Sequence, residues 1–366
     1  MVTFADTVLS QLDAACPEFP PTMDTGSTSR KNLGVPPIRA MIALDSTIEP
    51  AAFARSCRNW GIEMPILDPS FFQDMRMAGA IEAEGLTPWL NLPVFHRPQY
   101  LQSHPECYAI TSQGRKAVTD WLHFACPSRE ETLDHVLNEL RSTLTRVRPA
   151  VVSLDFIRHF VFWEQVDLTN PADLIEDGCY CPVCLSSFEH HSGEKVDRDD
   201  APTNIRQHLR RPWGAWKSEH IADVADQLLA EVRAFGRDTR LAVNTVPWRE
   251  SDLDGAIRSS AGQDIARLAR GVDIVAPMAF ANILHQTPQW KADLLTYTQE
   301  LTGKPVLAYV QVDALSNADP ITLMQFDNEL AATLTQAYAG AAIFHFEQLT
   351  ANPAKAGILR RHLRPT

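Results

Sequence analysis

No stretch of this 366-residue chain approaches the run of about 18 apolar residues that a membrane-spanning helix needs. Basic charge is also scarce. Thirty-three Lys and Arg stand against 45 Asp and Glu, for a formal charge of −12. Such a balance repels phosphate backbones and argues against general nucleic-acid binding. The opening Met1-Val-Thr-Phe-Ala-Asp has no basic region followed by a long apolar run, so no secretory signal is expected and the cytoplasm is the expected compartment. No Gly-rich phosphate loop follows the first apolar segment. The seven cysteines are odd in number and three of them crowd at 179–184, which suits a reducing compartment better than a disulfide framework.

What is present is a sizeable apolar fraction, 45%, and a regular alternation of strand-like and helix-like segments. Residues 1–37 read as a leader that packs on the main domain, with an amphipathic stretch from Phe4 to Ala15 and then a Pro/Gly/Ser/Thr-rich link. Strand-like runs follow at 38–44, 62–67, 86–92, 150–154, 241–246, 272–278, 305–311 and 341–346. They are short and apolar without clean alternation, as expected when both faces of a parallel sheet are covered. Ser46 with Glu49, and Ser128 with Glu131, have the spacing of capping boxes, and Gly85 reads as a helix C-terminal cap. Eight such units predict a (β/α)8 barrel over 38–366 rather than a doubly wound sheet. The longest intervals follow strands three and four. They predict lid insertions at 95–127 and 160–217, on the catalytic face.

In a barrel the chemistry sits at the strand C-termini. Those ends carry Asp45, Asp68, Asn91, His96, Arg97, Asp155, Arg158, His159, Asn244, Trp248, Met278, Asn282, His285, Gln311, Asp313, His345 and Glu347. Carboxylates, amides and a tryptophan suit a sugar: acid–base groups, hydroxyl partners and a stacking surface. Asp155 is the sharpest signal, because it ends the buried run Val151-Val-Ser-Leu154. Arg158, three residues on, can hold it ionised. Asp155 is then a nucleophile, a base, a substrate-binding carboxylate or simply a loop cap paired to Arg158. Glycoside hydrolysis needs a second carboxyl. Glu347 is the first candidate and Glu164 the second. Arg158, His96, Arg97, Asn244, Trp248, Asp45, Gln311 and His159 are candidates for substrate binding, and Trp121 and Trp163 for further stacking surfaces. Asp45 and Asp68 read equally well as helix caps.

Cys179-Tyr-Cys181-Pro-Val-Cys184 has a spacing that can turn around one zinc ion. Cys126, or else His190 or His191, would supply the fourth ligand. Such a zinc would be structural. Reduced free thiols and a disulfide are the alternatives. Catalysis itself calls for no cofactor.

Four segments together, Trp121…Cys126-Pro-Ser, Leu154-Asp155-Phe-Ile-Arg158, Phe162-Trp163-Glu164 and the cysteine run through to Phe188, resemble the uncharacterised bacterial glycoside-hydrolase-like barrels. The resemblance spans about 38–350 and is specific only over 120–190. It implies a barrel with carbohydrate-active chemistry and a small-molecule carbohydrate substrate. It carries that family's strand-four Asp and Arg onto Asp155 and Arg158. One departure stands out. Amylase-like and galactosidase-like barrels keep an acid on strand five or six, whereas here those strands end in Asn244-Thr-Val-Pro-Trp248 and Met278-Ala-Phe-Ala-Asn282. The expected activity is a glycoside hydrolase on small or modified glycosides. A sugar isomerase, epimerase, lyase or metal-dependent hydrolase, and a non-catalytic sugar-binding barrel, are the competing readings. Assembly into a homo-oligomer is left open.

Overall fold

The computed structural model describes residues 37–315, 319–336 and 338–364. The leader expected over 1–37 lies outside these apart from Pro37. Eight parallel strands form the sheet: β1 (Ile38–Ile42), β2 (Met64–Leu67), β3 (Trp89–Pro93), β4 (Val151–Asp155), β5 (Arg240–Thr245), β6 (Ile274–Pro277), β7 (Leu307–Gln311) and β8 (Gly340–Phe344). Their order is β6-β5-β4-β3-β2-β1-β8-β7. A parallel bridge between Val275 and Val306 draws the two ends together. The fold is the expected (β/α)8 barrel.

Eight helices return the chain between and after the strands: α1 (Pro50–Trp60), α2 (Arg76–Ala83), α3 (Glu130–Arg146), α4 (Arg210–Phe235), α5 (Ile265–Ala269), α6 (Pro288–Thr302), α7 (Leu323–Thr335) and α8 (Pro353–Leu363). The caps show what starts them. Glu49 itself is the N-cap of α1, its carboxylate accepting from the N–H groups of Ala51 and Ala52. The Ser46–Glu49 capping box does not form. Nor does the one at Ser128 and Glu131. Helix α3 begins at Glu130 without a side-chain cap, because Ser128 accepts a contact from Cys184 Sγ at 3.2 Å instead. Gly85 takes the left-handed conformation just past α2, as expected.

The two long connections are joined to each other. Thr111 pairs with Gly178, Ser112 N–H donates to Asp177 O and Tyr180 N–H to Ile110 O, each at 2.8 Å, and Arg115 pairs with Glu176. Beneath them Lys217 of α4 is wholly buried. Its ammonium donates to Asp177 Oδ2 (3.1 Å), Gly178 O (2.7 Å) and Ser260 O (3.1 Å). Three acceptors and one opposite charge satisfy a cation that would otherwise be costly to bury.

Candidate active site

Side chains alternate across a strand, so Ser153 and Asp155 of β4 share one face, as do Tyr309 and Gln311 of β7. Hydrogen bonds identify that face as the barrel interior. Trp89 Nε1 donates to Ser153 Oγ (2.9 Å), which donates to Asn91 Oδ1 (2.6 Å). Asn91 Nδ2 donates to Asp155 Oδ2 (2.9 Å). From the far wall, Tyr309 O–H donates to Asn244 Oδ1 (3.1 Å), and Asn244 Nδ2 reaches Asn91 Oδ1 (3.5 Å). Burial first, and then the charge of Asp155, push the Tyr309 phenol up, so it remains a donor. Asp155 thus stands at the end of a continuous interior polar network. Its other oxygen accepts from the N–H of Phe156 at 2.9 Å. Phe156 has φ of 49°, a left-handed conformation that an aromatic residue rarely adopts. Backbone strain of this kind gathers at functional sites.

Arg158 does not pair with Asp155, contrary to expectation. Its Nη1 donates to the carbonyls of His159 (3.2 Å) and Val161 (2.7 Å). Its guanidinium lies over the rings of Phe124 (4.7 Å) and Phe156 (5.7 Å). Nε and Nη2 are buried without a partner. Burial pulls its pKa down to about 10, with the charges of Glu164 and Asp155 opposing the fall. Arg158 is therefore a buried cation that acts on both carboxyls through space.

The two candidate partner carboxyls are held in opposite states. Glu164 lies in the short helical turn Trp163–Gln165, and its Oε2 is buried with no hydrogen-bond partner. Burial raises its pKa to about 7. Arg158 opposes the rise and Asp155 adds to it. Glu347, in contrast, accepts from Leu44 N–H (2.8 Å), Asp45 N–H (2.8 Å) and His345 Nδ1 (2.7 Å). Burial pushes it up, but these donors outweigh burial and hold it at about 2. A carboxyl with every bond made is a fixed acceptor.

The remaining candidates divide by burial and partner. Asn244 belongs to the interior network, and Gln311, 2% exposed on the same face as Tyr309, has an Nε2 with no partner. His96 packs its ring against Phe156 (4.9 Å) and Trp121 (5.7 Å), and burial lowers its pKa to about 4, so it is a neutral imidazole. Trp121 is 47% exposed. With Phe156 and Phe162 it forms an aromatic wall beside Asp155. The other four expected sugar contacts have other tasks. Arg97 is buried, bonded to Val94 O and paired with Glu139 of α3. Trp248 is fully buried and offers no open face. Asp45 accepts from Thr47, capping its own turn. His159 is wholly buried, and its Nδ1 accepts from the Cys179 N–H (3.3 Å), which ties it to the cysteine loop. Gly262 leaves room for that imidazole, since a Cβ there would come within 2.8 Å of His159 Cδ2. Asp68 is a cap, accepting from Ser70.

Sequence reasoning passed over Ser153, Tyr309, Phe156 and Phe280. The signal for Tyr309 is present in the chain, two residues before Gln311 on one strand. Phe280 stacks on Trp163 (6.3 Å between centroids, 14° between planes) and touches Tyr309 and Phe344. That contact depends on the long connection after β4 and has no local signature. A cavity of about 690 Å³ lies elsewhere, between α1 and the turn before α2, lined by Ser46, Glu49, Gln73 and Arg76 among others. It contains none of Asp155, Arg158 and Glu164.

The sulfurs of Cys126, Cys179, Cys181 and Cys184 lie within 4.8 Å of one another, and all four residues are buried. Cys126 Sγ is 3.5 Å from Cys181 Sγ and 3.4 Å from Cys184 Sγ. Thiolates at about 2.3 Å from a tetrahedral zinc stand about 3.8 Å apart, so the donor set fits that ion. Cys126 is thus the fourth member, and His191 instead pairs with Glu219. Four protein sulfurs leave no open position for substrate.

No family model matches this chain, and no curated protein matches its sequence. Solved structures do match its fold. The PgaB (BpsB) glycoside hydrolase domain from Bordetella bronchiseptica superposes with a TM-score of 0.65 at 16% identity, covering 90% of this chain and 100% of that one. The β-galactosidase from the psychrophilic Marinomonas ef1 gives 0.66 at 9% identity over 89% of this chain and 58% of that one. The β-amylase catalytic domain from Paenibacillus polymyxa gives 0.58 at 10% identity, over 89% and 97%. The chain therefore has the barrel fold that these glycoside hydrolases share. No helix among the described residues is long and apolar enough to cross a membrane.

Proposed function

We propose that this protein is a glycoside hydrolase acting on a small or modified glycoside, with Glu164 as the general acid and Asp155 as the second carboxylate. The observation that carries the reading is the state of Glu164: a buried carboxyl oxygen without a partner, a pKa near 7, and Asp155 and Arg158 within electrostatic range. A general acid must hold its proton at the working pH and release it to the leaving oxygen. Asp155 acts as nucleophile in a retaining reaction or as base toward water in an inverting one. Arg158 limits how far the Glu164 pKa rises. Glu347, fully bonded, keeps an architectural role. The amides of Asn244 and Gln311 meet sugar hydroxyls, and the wall of Trp121, His96 and Phe156 covers an apolar sugar face.

The competing metal-dependent reading has less support. Among the described residues, the one group of three or more Cys, His, Asp and Glu able to hold a metal is the cysteine cluster, which offers no open position. There we propose a structural zinc that staples the two lid connections. The cytoplasm remains the proposed compartment.

A panel of nitrophenyl glycosides tests the reading. Wild type should turn over at least one member, and Asp155→Asn should lose about a thousandfold or more, as removal of a catalytic carboxylate does. Equal turnover by the two proteins would overturn it. The anomer released first, read by NMR, then assigns Asp155 as nucleophile or base.

A further inference from the structure

Two polar groups stand at the tips of β7 and β8: Gln311, whose amide the proposed hydrolysis already places at a sugar hydroxyl, and His345, which it leaves unused. Gln311 pairs in register with Phe344, and His345 follows Phe344 directly. Neighbouring strands lie about 4.8 Å apart, so the two side chains spring from points within one side chain's reach. Gln311 faces the interior and is 2% exposed, and its Nε2 has no acceptor. An unpaired buried amide donor is unfavourable, and a ligand acceptor would satisfy it.

His345 presents the complementary group. Its Nδ1 lies 2.7 Å from Glu347 Oε2. Glu347 is ionised and accepts only, so Nδ1 must carry the hydrogen. In the neutral ring the lone pair is then on Nε2, which makes no hydrogen bond among the described residues. Glu347 is itself fixed, because its other oxygen accepts from Leu44 and Asp45 N–H across the β1–β8 seam. The ring of His345 packs edge-on against Phe344 (5.0 Å, 78°), which touches Phe280.

We infer that Gln311 Nε2 and His345 Nε2 form a donor–acceptor pair that recognises a hydroxyl, or two adjacent hydroxyls, of a neutral sugar, and that Glu347 is the positioning residue that fixes the His345 tautomer. A hydroxyl both accepts and donates, which matches the pair, whereas a carboxylate or phosphate would meet the His345 lone pair unfavourably. This rests on the proposed carbohydrate reading and adds the specificity determinant to it.

The test has two arms. In protein labelled with ¹⁵N-histidine, the neutral His345 ring should show the Nδ1–H tautomer, and Glu347→Gln should shift it toward Nε2–H. An Nε2–H ring in wild type would overturn the inference. In the second arm, the glycoside turned over by wild type is compared with its monodeoxy analogues. One deoxy position should raise KM at least tenfold in wild type. Gln311→Leu and His345→Phe should show that loss with the parent glycoside and no further loss on deoxygenation, and His345→Gln, which keeps an acceptor, should recover part of it. If both variants discriminate as wild type does, the inference fails while hydrolysis stands. If no glycoside is hydrolysed, the same comparison is made by calorimetry with glucose, galactose, mannose and their deoxy forms. Discrimination lost in the variants would then support the inference with the hydrolase reading gone, and absence of binding would overturn the inference.

Discussion

Asn91 bridges the β3–β4 seam, donating through Nδ2 to Asp155 Oδ2 at 2.9 Å while its Oδ1 accepts from Ser153 Oγ at 2.6 Å. A single amide therefore fixes the carboxylate and links it to the interior network. Asn91→Ala removes a hydrogen bond to a charged group, an effect of about 1.5–3 kcal/mol. The expected outcome is a fall in kcat of about ten- to a hundredfold with an intact fold. Circular dichroism and steady-state kinetics check it.

Glu164 should titrate in the folded protein near pH 7. Its folded pKa lies above the ordinary value of 4.5, so its contribution to stability is present below about pH 4.5 and is lost as pH rises through about 7. Glu164→Gln should therefore be more stable than wild type at pH 8, by about 1–3 kcal/mol in urea melts, and no different at pH 4. Activity should fall as pH rises through about 7. Arg158→Met, which removes an opposing cation, should move that limb upward, and Asp155→Asn should lower the Glu164 pKa as read by carboxyl ¹³C NMR. An unchanged Glu164 titration in both variants would refute the electrostatic triad.

The cysteine cluster should bind one zinc per chain. Cys126→Ser should lower the zinc content and the melting temperature, because metal-binding energy at a structural site is folding energy. Elemental analysis with thermal melts in the presence of a chelator is the measurement. A metal-free protein indifferent to chelator would instead mean four free thiols.

Lys217→Met should be costly. It leaves Asp177 buried with only Tyr180 O–H at 3.0 Å and Arg206 at 3.6 Å. Breaking one side of a buried pair typically costs about 3–5 kcal/mol. Urea denaturation gives the number, and the joint variant Lys217→Met/Asp177→Asn should recover part of it.

The barrel was legible in the sequence because strand and helix patterns are local, and strand ends fell within a few residues of their places. Asp155 was legible for the same reason: four small or apolar residues precede it on one strand. Failures arose where tertiary contacts decide. Ser128 looks like a helix cap but is drawn to Cys184. Arg97 looks like a site residue but pairs with Glu139 on a distant helix. Trp248 looks like a platform until packing closes over it. Glu164 and Glu347 are indistinguishable as letters. One is desolvated in the long connection after β4, the other receives donors from the residues just after β1 and from His345, and neither fact has a sequence signature.

In the proposed mechanism Glu164 protonates the leaving group while Asp155 acts at the sugar. The direct measurement is kcat/KM for wild type and Glu164→Gln on paired 4-nitrophenyl and 2,4-dinitrophenyl glycosides. A leaving group that needs no proton should bypass the acid. Glu164→Gln should therefore lose about a hundredfold or more on the poorer leaving group and far less on the better one, while Asp155→Asn loses activity on both. Equal losses by Glu164→Gln on both substrates, or no loss on either, would exclude Glu164 as the general acid.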